Sequence, residues 1–387
     1  MNGINSRCIS WLRKNYISCI VLILAVIIFL ICYRLAAPIP DVSIPATEYA
    51  EYETGTVIMI LTDNTEKNPV DDGGWRGEQL LLIEVTSGQY TGQTLQVSNY
   101  VGPLYGDPLR VGDSAVLIIS TYEDGSHVAT VFEYNRTVPL CIIIGLFLLV
   151  AIAVGGKTGV KSLVGLAVTL CCLFLVLIPA LMKGAPTLAT VFGCCAFITV
   201  VTLTILGGIH KKTLCAMAGT ISGTLLALFF GLLAQSLARI NGLRLDDVEA
   251  LLQLRQTGSH IGLHGLLVGG IVISALGAVM DVAMGISSSI CEVHTANSSL
   301  SFKELFQSGM NIGRDMVGTM TNTLILAFLG SGFSMILYFY SLDLAPNQLL
   351  SSAFLSIEVI SGISSSIGVI LSIPVTALIT AFALKHK

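Results

Sequence analysis

Asp281-Val-Ala-Met-Gly285-Ile-Ser-Ser-Ser-Ile290 and Glu358-Val-Ile-Ser-Gly362-Ile-Ser-Ser-Ser-Ile367 are two copies of one string, with seven of ten positions identical and the leading acid exchanged between Asp and Glu. Both lie in strongly apolar sequence. A carboxylate in a membrane-spanning helix is expensive and marks a site of work. A glycine followed by three serines is also a place where a membrane helix can open and expose backbone carbonyls. Two readings are open. The repeat is an ancestral or functional duplication of an ion or substrate site, or its small residues only let helices pack closely.

The sequence around the strings sets the fold class. Of 387 residues, 53% are hydrophobic and 11% charged, and the mean hydropathy is +0.82. That composition excludes a soluble globular enzyme and predicts a mostly α-helical integral membrane protein with room for about eight transmembrane helices. The first apolar run, 17–33, follows Arg7, Arg13 and Lys14 and reads as an uncleaved anchor, being longer than a signal-peptide core and lacking a clean cleavage site. Seven more lie near 138–154, 162–182, 186–207, 213–235, 263–286, 316–340 and 350–382.

Between the first and second runs the character changes. Residues 38–136 hold 15 of the 24 acidic residues and 4 of the 20 basic ones, a balance of -11. Three prolines, Pro38, Pro40 and Pro45, open it as an extended linker. Alternating apolar and polar positions predict strands over 54–61, 79–86, 94–98, 115–122 and 127–134, with glycines at the turns. Five short strands suggest a small all-β, OB-like barrel. The domains are thus 1–37, a cytoplasmic N-terminus and anchor, 38–136, an acidic extracellular β-domain between helices 1 and 2, and 137–387, a seven-helix membrane domain. Asp63, Glu66, Asp71 and Asp72 cluster in one loop, which reads as solvated, since the EF-hand pattern is absent.

Placing both termini in the cytoplasm puts Lys157, Lys161, His210, Lys211, Lys212, Lys303, Arg314, Lys385 and Lys387 inside, as the positive-inside rule asks. The outer loop 237–262 is the exception. Its Arg239, Arg244 and Arg255 are offset by Asp246, Asp247 and Glu249, and 245–254 suits an interfacial amphipathic helix.

Chemistry points to ions rather than catalysis. Asp281 and Glu358 are the ion-coupling candidates, since a desolvated carboxyl can take up a proton. Ser287, Ser288, Ser364 and Ser365 supply oxygen ligands suited to H⁺, Na⁺ or a hard divalent ion. Asn311, Arg314, Asp315 and Asn322 follow helical spacing and, with Thr321, form the most polar stretch beside the membrane; Asn322 and the threonines are expected to point into the bundle. The ten cysteines, none in the β-domain and none in a CxxC, read as small buried hydrophobes. His260 and His264 are spaced for one helical face but have no evident third ligand. No catalytic or nucleotide motif occurs, so neither an enzyme, a cofactor, a metal centre nor a nucleic-acid partner is expected.

The run from Gly277 to Ser289, the stretch Ser308 to Asp315 and the stretch Gly318 to Ser331 resemble the YibE/F-like family of bacterial multi-pass membrane proteins. The resemblance implies a bacterial cell membrane location and carries no settled activity. A weaker likeness, in the rhythm of Gly277 to Asp281, Glu292, Phe306 to Gly309 and Thr321 to Ala327, is to the RND and SecD/SecF membrane domains. It implies proton coupling through Asp281, although this chain has more helices after a much smaller outer domain. The expected partners are the lipid bilayer, H⁺ or Na⁺, and a homo- or hetero-oligomer. The functional expectation is a proton- or cation-coupled transporter or transporter subunit, with a non-transporting assembly factor or sensor built on the β-domain as the alternative.

Overall fold

The computed structural model describes residues 16–36, 50–121, 127–240, 242–244, 248–256 and 260–385. The basic N-terminus, the proline linker, Tyr122, the 245–247 stretch and the last two residues lie outside them. The chain divides into two compact units, 43–150 and 1–42 with 151–387.

The first unit is a closed barrel. Strands β1 (Ala50–Asp63), β3 (Gly74–Val85), β4 (Thr94–Val101), β5 (Ser114–Thr121) and β6 (His127–Tyr134) pair in the cycle β1–β3–β4–β6–β5–β1. A short β2 (Glu66–Asn68) extends β3 as a hairpin. Only β4 with β6 is parallel. Closure depends on β1, which pairs with β5 over its first half and β3 over its second. The turn-over point is Gly55, where a Cβ would stand 2.5 Å from the Ile83 side chain, so no larger residue fits. Alternation on β3 sends Leu81, Ile83 and Val85 inward to meet Val57, Val97, Leu117 and Ile119. The five strands expected from the pattern are all present, and closing them into a cycle leaves no main edge unpaired.

Asp63, expected in a solvated acidic loop, is a structural acceptor. It takes bonds from the Thr65 hydroxyl (2.6 Å), the Thr65 amide (3.0 Å) and the Gln79 side chain (3.0 Å), and Gln79 is itself fully buried. Those donors, the Thr65 hydroxyl first and Gln79 second, hold the Asp63 carboxyl below the usual carboxylate range.

The second unit is helical. Helix α1 (Tyr16–Ala36) covers the first apolar run. Helix α2 (Thr137–Cys172) continues through a π-helical turn, Leu173–Leu177, into α3 (Ile178–Met182), where Pro179 cannot supply the usual backbone donor. This 46-residue run would be about 69 Å long if straight, over twice a bilayer core. It is interrupted at Gly156 (φ 53°, ψ -131°), inside the connection predicted between the second and third apolar segments. Then follow α4 (Thr187–Gly207), α5 (Lys211–Ala238), α6 (Val248–Gln256), α7 (Leu266–Ala296), α8 (Phe302–Ser331), α9 (Phe333–Ser341), α10 (Pro346–Leu350) and α11 (Ala353–Lys385). By length and composition, five helical runs among the described residues suffice to cross a membrane, and a sixth if α8 and α9, bent by 63° at Gly332, count as one.

Two expected boundaries shift. The segment predicted to end near 286 runs on as helix to Ala296, because the serines end the apolar run without ending the hydrogen-bonded helix. The segment predicted from 316 begins at Phe302, behind a capping box in which Ser301 and Glu304 satisfy each other's backbone amides. The last segment, expected over 350–382, is one continuous helix, Ala353–Lys385, despite Pro374.

Helices α5, α7, α8 and α11 form the main bundle, with α11 packed on the other three. Small residues let the backbones approach. On α5, Gly219, Gly223 and Ala227 recur every fourth residue and meet Thr376, Ser372 and Gly368 of α11. On α8, Gly309 and Gly313 meet Ala377 and Ile373 of α11 and Ile290 and Ile286 of α7. These pairings make α7 and α11 parallel, with α5 and α8 antiparallel to both.

Candidate functional site

The two strings therefore run in the same direction but not at the same depth. Ser365 of the second copy lies level with Ile271 and Ser274 of α7: its hydroxyl donates to the Ile271 carbonyl (3.3 Å) and lies 3.2 Å from the Ser274 hydroxyl. Glu358 is seven residues before that level and Asp281 seven residues after Ser274, so about 20 Å of helix separates them along the axis. Asp281 and Glu358 do not share a pocket.

What they share is a helix. Gly285, one turn after Asp281, faces α8: a Cβ there would stand 3.3 Å from Met316 Cε. Gly362, one turn after Glu358, also faces α8, with Phe328 at 3.4 Å. Each string thus provides a glycine seat for α8. Past the second seat, Glu358 lies against the bend, its Cγ 3.6 Å from where a Gly332 Cβ would stand. Past the first, the register brings Asp281 level with Met320 and its neighbours.

The surroundings of the two acids differ. Asp281 is the sixteenth of 31 residues in α7 and is exposed on the protein surface, on a stripe with Gly270, Ser274 and Gly277. Nothing lies within 4 Å of a Cβ placed at Gly270 or Gly277, so this face is open. Glu358 is half-buried.

The serines sit in a buried seam. Ser287 is fully buried and donates to the Lys212 carbonyl in the first turn of α5 (2.7 Å). Ser288 is half-buried, while Ser364 and Ser365 are buried. Ser366 and Ser372 bond back to carbonyls of their own helix. Thr213 and Thr376 are fully buried with hydroxyls that find no partner among the described residues.

The polar stretch of α8 departs from expectation. Asn311, Arg314, Asp315 and Asn322 are exposed, as are Thr319 and Thr323, while Thr321 is half-buried with a hydroxyl that finds no partner among the described residues. Arg314 reaches Asn311 at 3.4 Å. Asn322 faces away from the bundle because the inward stripe of α8 is Leu305, Gly309 and Gly313, continued by Met316, Met320 and Leu324. Among the described residues no three His, Cys, Asp or Glu side chains converge as a metal ion requires.

The family model for YibE/F-like protein matches residues 143–386, from within α2 to the end of α11. The chain belongs to the YibE/F-like family. The matched part contains both strings, the α8 polar face and the whole main bundle, and leaves out the barrel. With its long apolar helices, this makes the chain a membrane protein. No curated protein and no solved structure matches it.

The α5 series Gly219, Gly223, Ala227 was missed by reading the sequence, although its four-residue spacing is legible there. The closest helix approaches lie at these small residues and at Gly313 and Gly368, not at the serines.

Proposed function

We propose that this YibE/F-like protein is a proton- or cation-coupled transporter, or a subunit of one, with Asp281 as the coupling carboxylate. The observation that carries the reading is the exposed Asp281 at the midpoint of an apolar helix, on an open stripe of small residues. A carboxylate at membrane depth costs several kcal/mol by simple transfer, about 3 at a helix centre, unless water, an ion or a protein group meets it. The open stripe along Gly270, Ser274 and Gly277 is a route for such contact. Helix α8 is the natural moving part: it is seated on glycines at two depths and bent at Gly332. Protonation or ion capture at Asp281 would change how α8 sits on its inner seat, and Glu358 would respond at the bend. Asn311, Arg314, Asp315 and Asn322 would then line the outer face of that moving helix, with the Thr321 hydroxyl turned inward.

The accompanying topology is eight crossings: α1, two from the run broken at Gly156, α4, α5, α7, the bent α8–α9 and α11. Both termini are cytoplasmic and the barrel is extracellular. The barrel's cyclic pairing order with one parallel pair supports an OB-like identity. OB-like barrels bind ligands on an exposed face, which keeps a partner-binding sensor as the second reading.

The test is flux. Purified protein in liposomes carrying internal pH-sensitive and sodium-sensitive dyes is challenged with an imposed proton or sodium gradient. Wild type is expected to dissipate one of them, Asp281→Asn to be inactive while remaining monodisperse, and Glu358→Gln to be slowed. Wild-type flux in both variants, or no flux of either ion by wild type, would sink the coupling idea.

A further inference from the structure

One apolar cavity stands apart from both strings. It is a cleft of about 640 Å³ between α1, the π-helical turn before α3, and α4. That volume is typical of a ligand site. Its walls are apolar: Ile28 and Phe29 of α1, Val176 of the π turn and Phe197 of α4. Space exists because α4 presents Ala189 and Gly193 there, one turn apart; nothing lies within 4 Å of a Cβ at Gly193. From Ala189 to Phe197 the lining stretch of α4 rises eight residues, about 12 Å.

Among the described residues the cleft has one charged lining residue, Lys183, and no carboxylate. Lys183 lies in the α3–α4 turn at the mouth. Its ammonium donates to the Leu35 carbonyl in the last turn of α1 (2.9 Å), which fixes its position. An ammonium has three donors, so this bond leaves it able to meet an anion.

We propose that the cleft is a lipid site: one acyl chain of an anionic glycerophospholipid lies between α1 and α4, with its headgroup phosphate against Lys183. An apolar slot of this depth inside a membrane protein selects a chain, and the single cation at its mouth selects a negative head. Bound there, the lipid fills the gap between the anchor helix and the bundle.

The test uses the full-length protein, delipidated in detergent and titrated with phosphatidylglycerol or phosphatidylcholine while bound lipid is counted by native mass spectrometry. Wild type is expected to hold one lipid per chain and to prefer phosphatidylglycerol by about two- to fivefold, the range of an exposed ion pair. Gly193→Trp fills the slot and weakens binding at least about tenfold, a loss that needs only about 55 Å² of chain left unburied. Ala189→Phe is the second filling variant, should the first not fold. Lys183→Gln keeps the lipid but loses the preference. Inorganic phosphate at millimolar concentration does not displace phosphatidylglycerol. Undiminished binding in the folded filling variants, a preference that survives Lys183→Gln, or displacement by phosphate alone would each overturn the assignment.

Discussion

Replacing glycines one at a time with alanine separates close packing from function in the repeated strings. At Gly368, just after the second string, a Cβ would stand 2.6 Å from the Ala227 Cβ and 3.1 Å from the Ala227 Cα. The obstacle includes backbone, so α5 and α11 must part. Overpacking of that kind costs about 1–3 kcal/mol, and alanine's better helix propensity returns up to about 1 kcal/mol. The expected net loss is about 1–2 kcal/mol, or about 2–8 °C in unfolding temperature for a unit of this size. The strings' own glycines differ. At Gly285 the nearest atom is the flexible end of Met316 at 3.3 Å, and at Gly362 it is the Phe328 ring at 3.4 Å. Alanine at either should change stability by less than about 1 kcal/mol. Gly277→Ala meets open space and should stabilise by up to about 1 kcal/mol. The assay is thermal unfolding of purified variants in detergent, read beside flux. A Gly368→Ala protein as stable as wild type, or a Gly277→Ala protein that unfolds earlier than Gly368→Ala, would refute the packing assignments. Loss of flux in Gly285→Ala or Gly362→Ala at unchanged stability would show that α8 needs its seats for movement rather than for cohesion.

Acid should weaken the barrel through Asp63. Its folded-state pKa is depressed, so its contribution is fully present above the unfolded value near 3.9 and is lost as pH falls through the folded value below that. Trp75 fluorescence, with Trp11 replaced by Phe, reports barrel unfolding, and Asp63→Asn should flatten its pH dependence below about pH 4; an unchanged acid limb would show that other carboxylates control it. Gly156→Ala should destabilise by about 1–3 kcal/mol, because φ 53°, ψ -131° is strained for any residue with a Cβ although no neighbour crowds it. Stabilisation by alanine there, measured by thermal unfolding, would mean that α2 runs on as a straight helix.

The sequence made some features legible and hid others for physical reasons. Strand alternation such as that around Leu81 and Ile83 is local, so the barrel strands could be placed to within a few residues, and β1's double pairing follows only once Gly55 is seen against Ile83. Hydropathy finds apolar runs, but helices end where backbone hydrogen bonding ends. That is why α7 outran its predicted end by ten residues and α8 began fourteen earlier. Face assignment failed at Asn322 because polarity alone cannot tell which side of a membrane helix is inward. On α8 the inward side is chosen by Gly309 and Gly313, where α11 and α7 come close.

The repeat itself now has a consistent physical explanation. If the strings built one ion site, their acids would have to meet, and the parallel register holds them about 20 Å apart. If they were interchangeable packing seams, their serines would sit alike, yet Ser288 is half-buried and its counterpart Ser365 is buried against α7. What is equivalent in both copies is the glycine one turn after the acid, and in both copies it faces α8, at Met316 and at Phe328. Those two contacts are twelve residues apart on α8, about 18 Å, which matches the offset between the acids. A duplication that keeps acid, glycine and serines together therefore gives one helix two seats with a carboxylate beside each. Under the proposed coupling the exposed Asp281 would meet the ion, while Glu358 lies where α8 bends. A rigid α8 would make that pairing useless. The proposal therefore requires that cross-linking α8 to α11, for instance through Phe328→Cys and Gly362→Cys, arrest flux in an otherwise intact Asp281 protein and that reduction restore it.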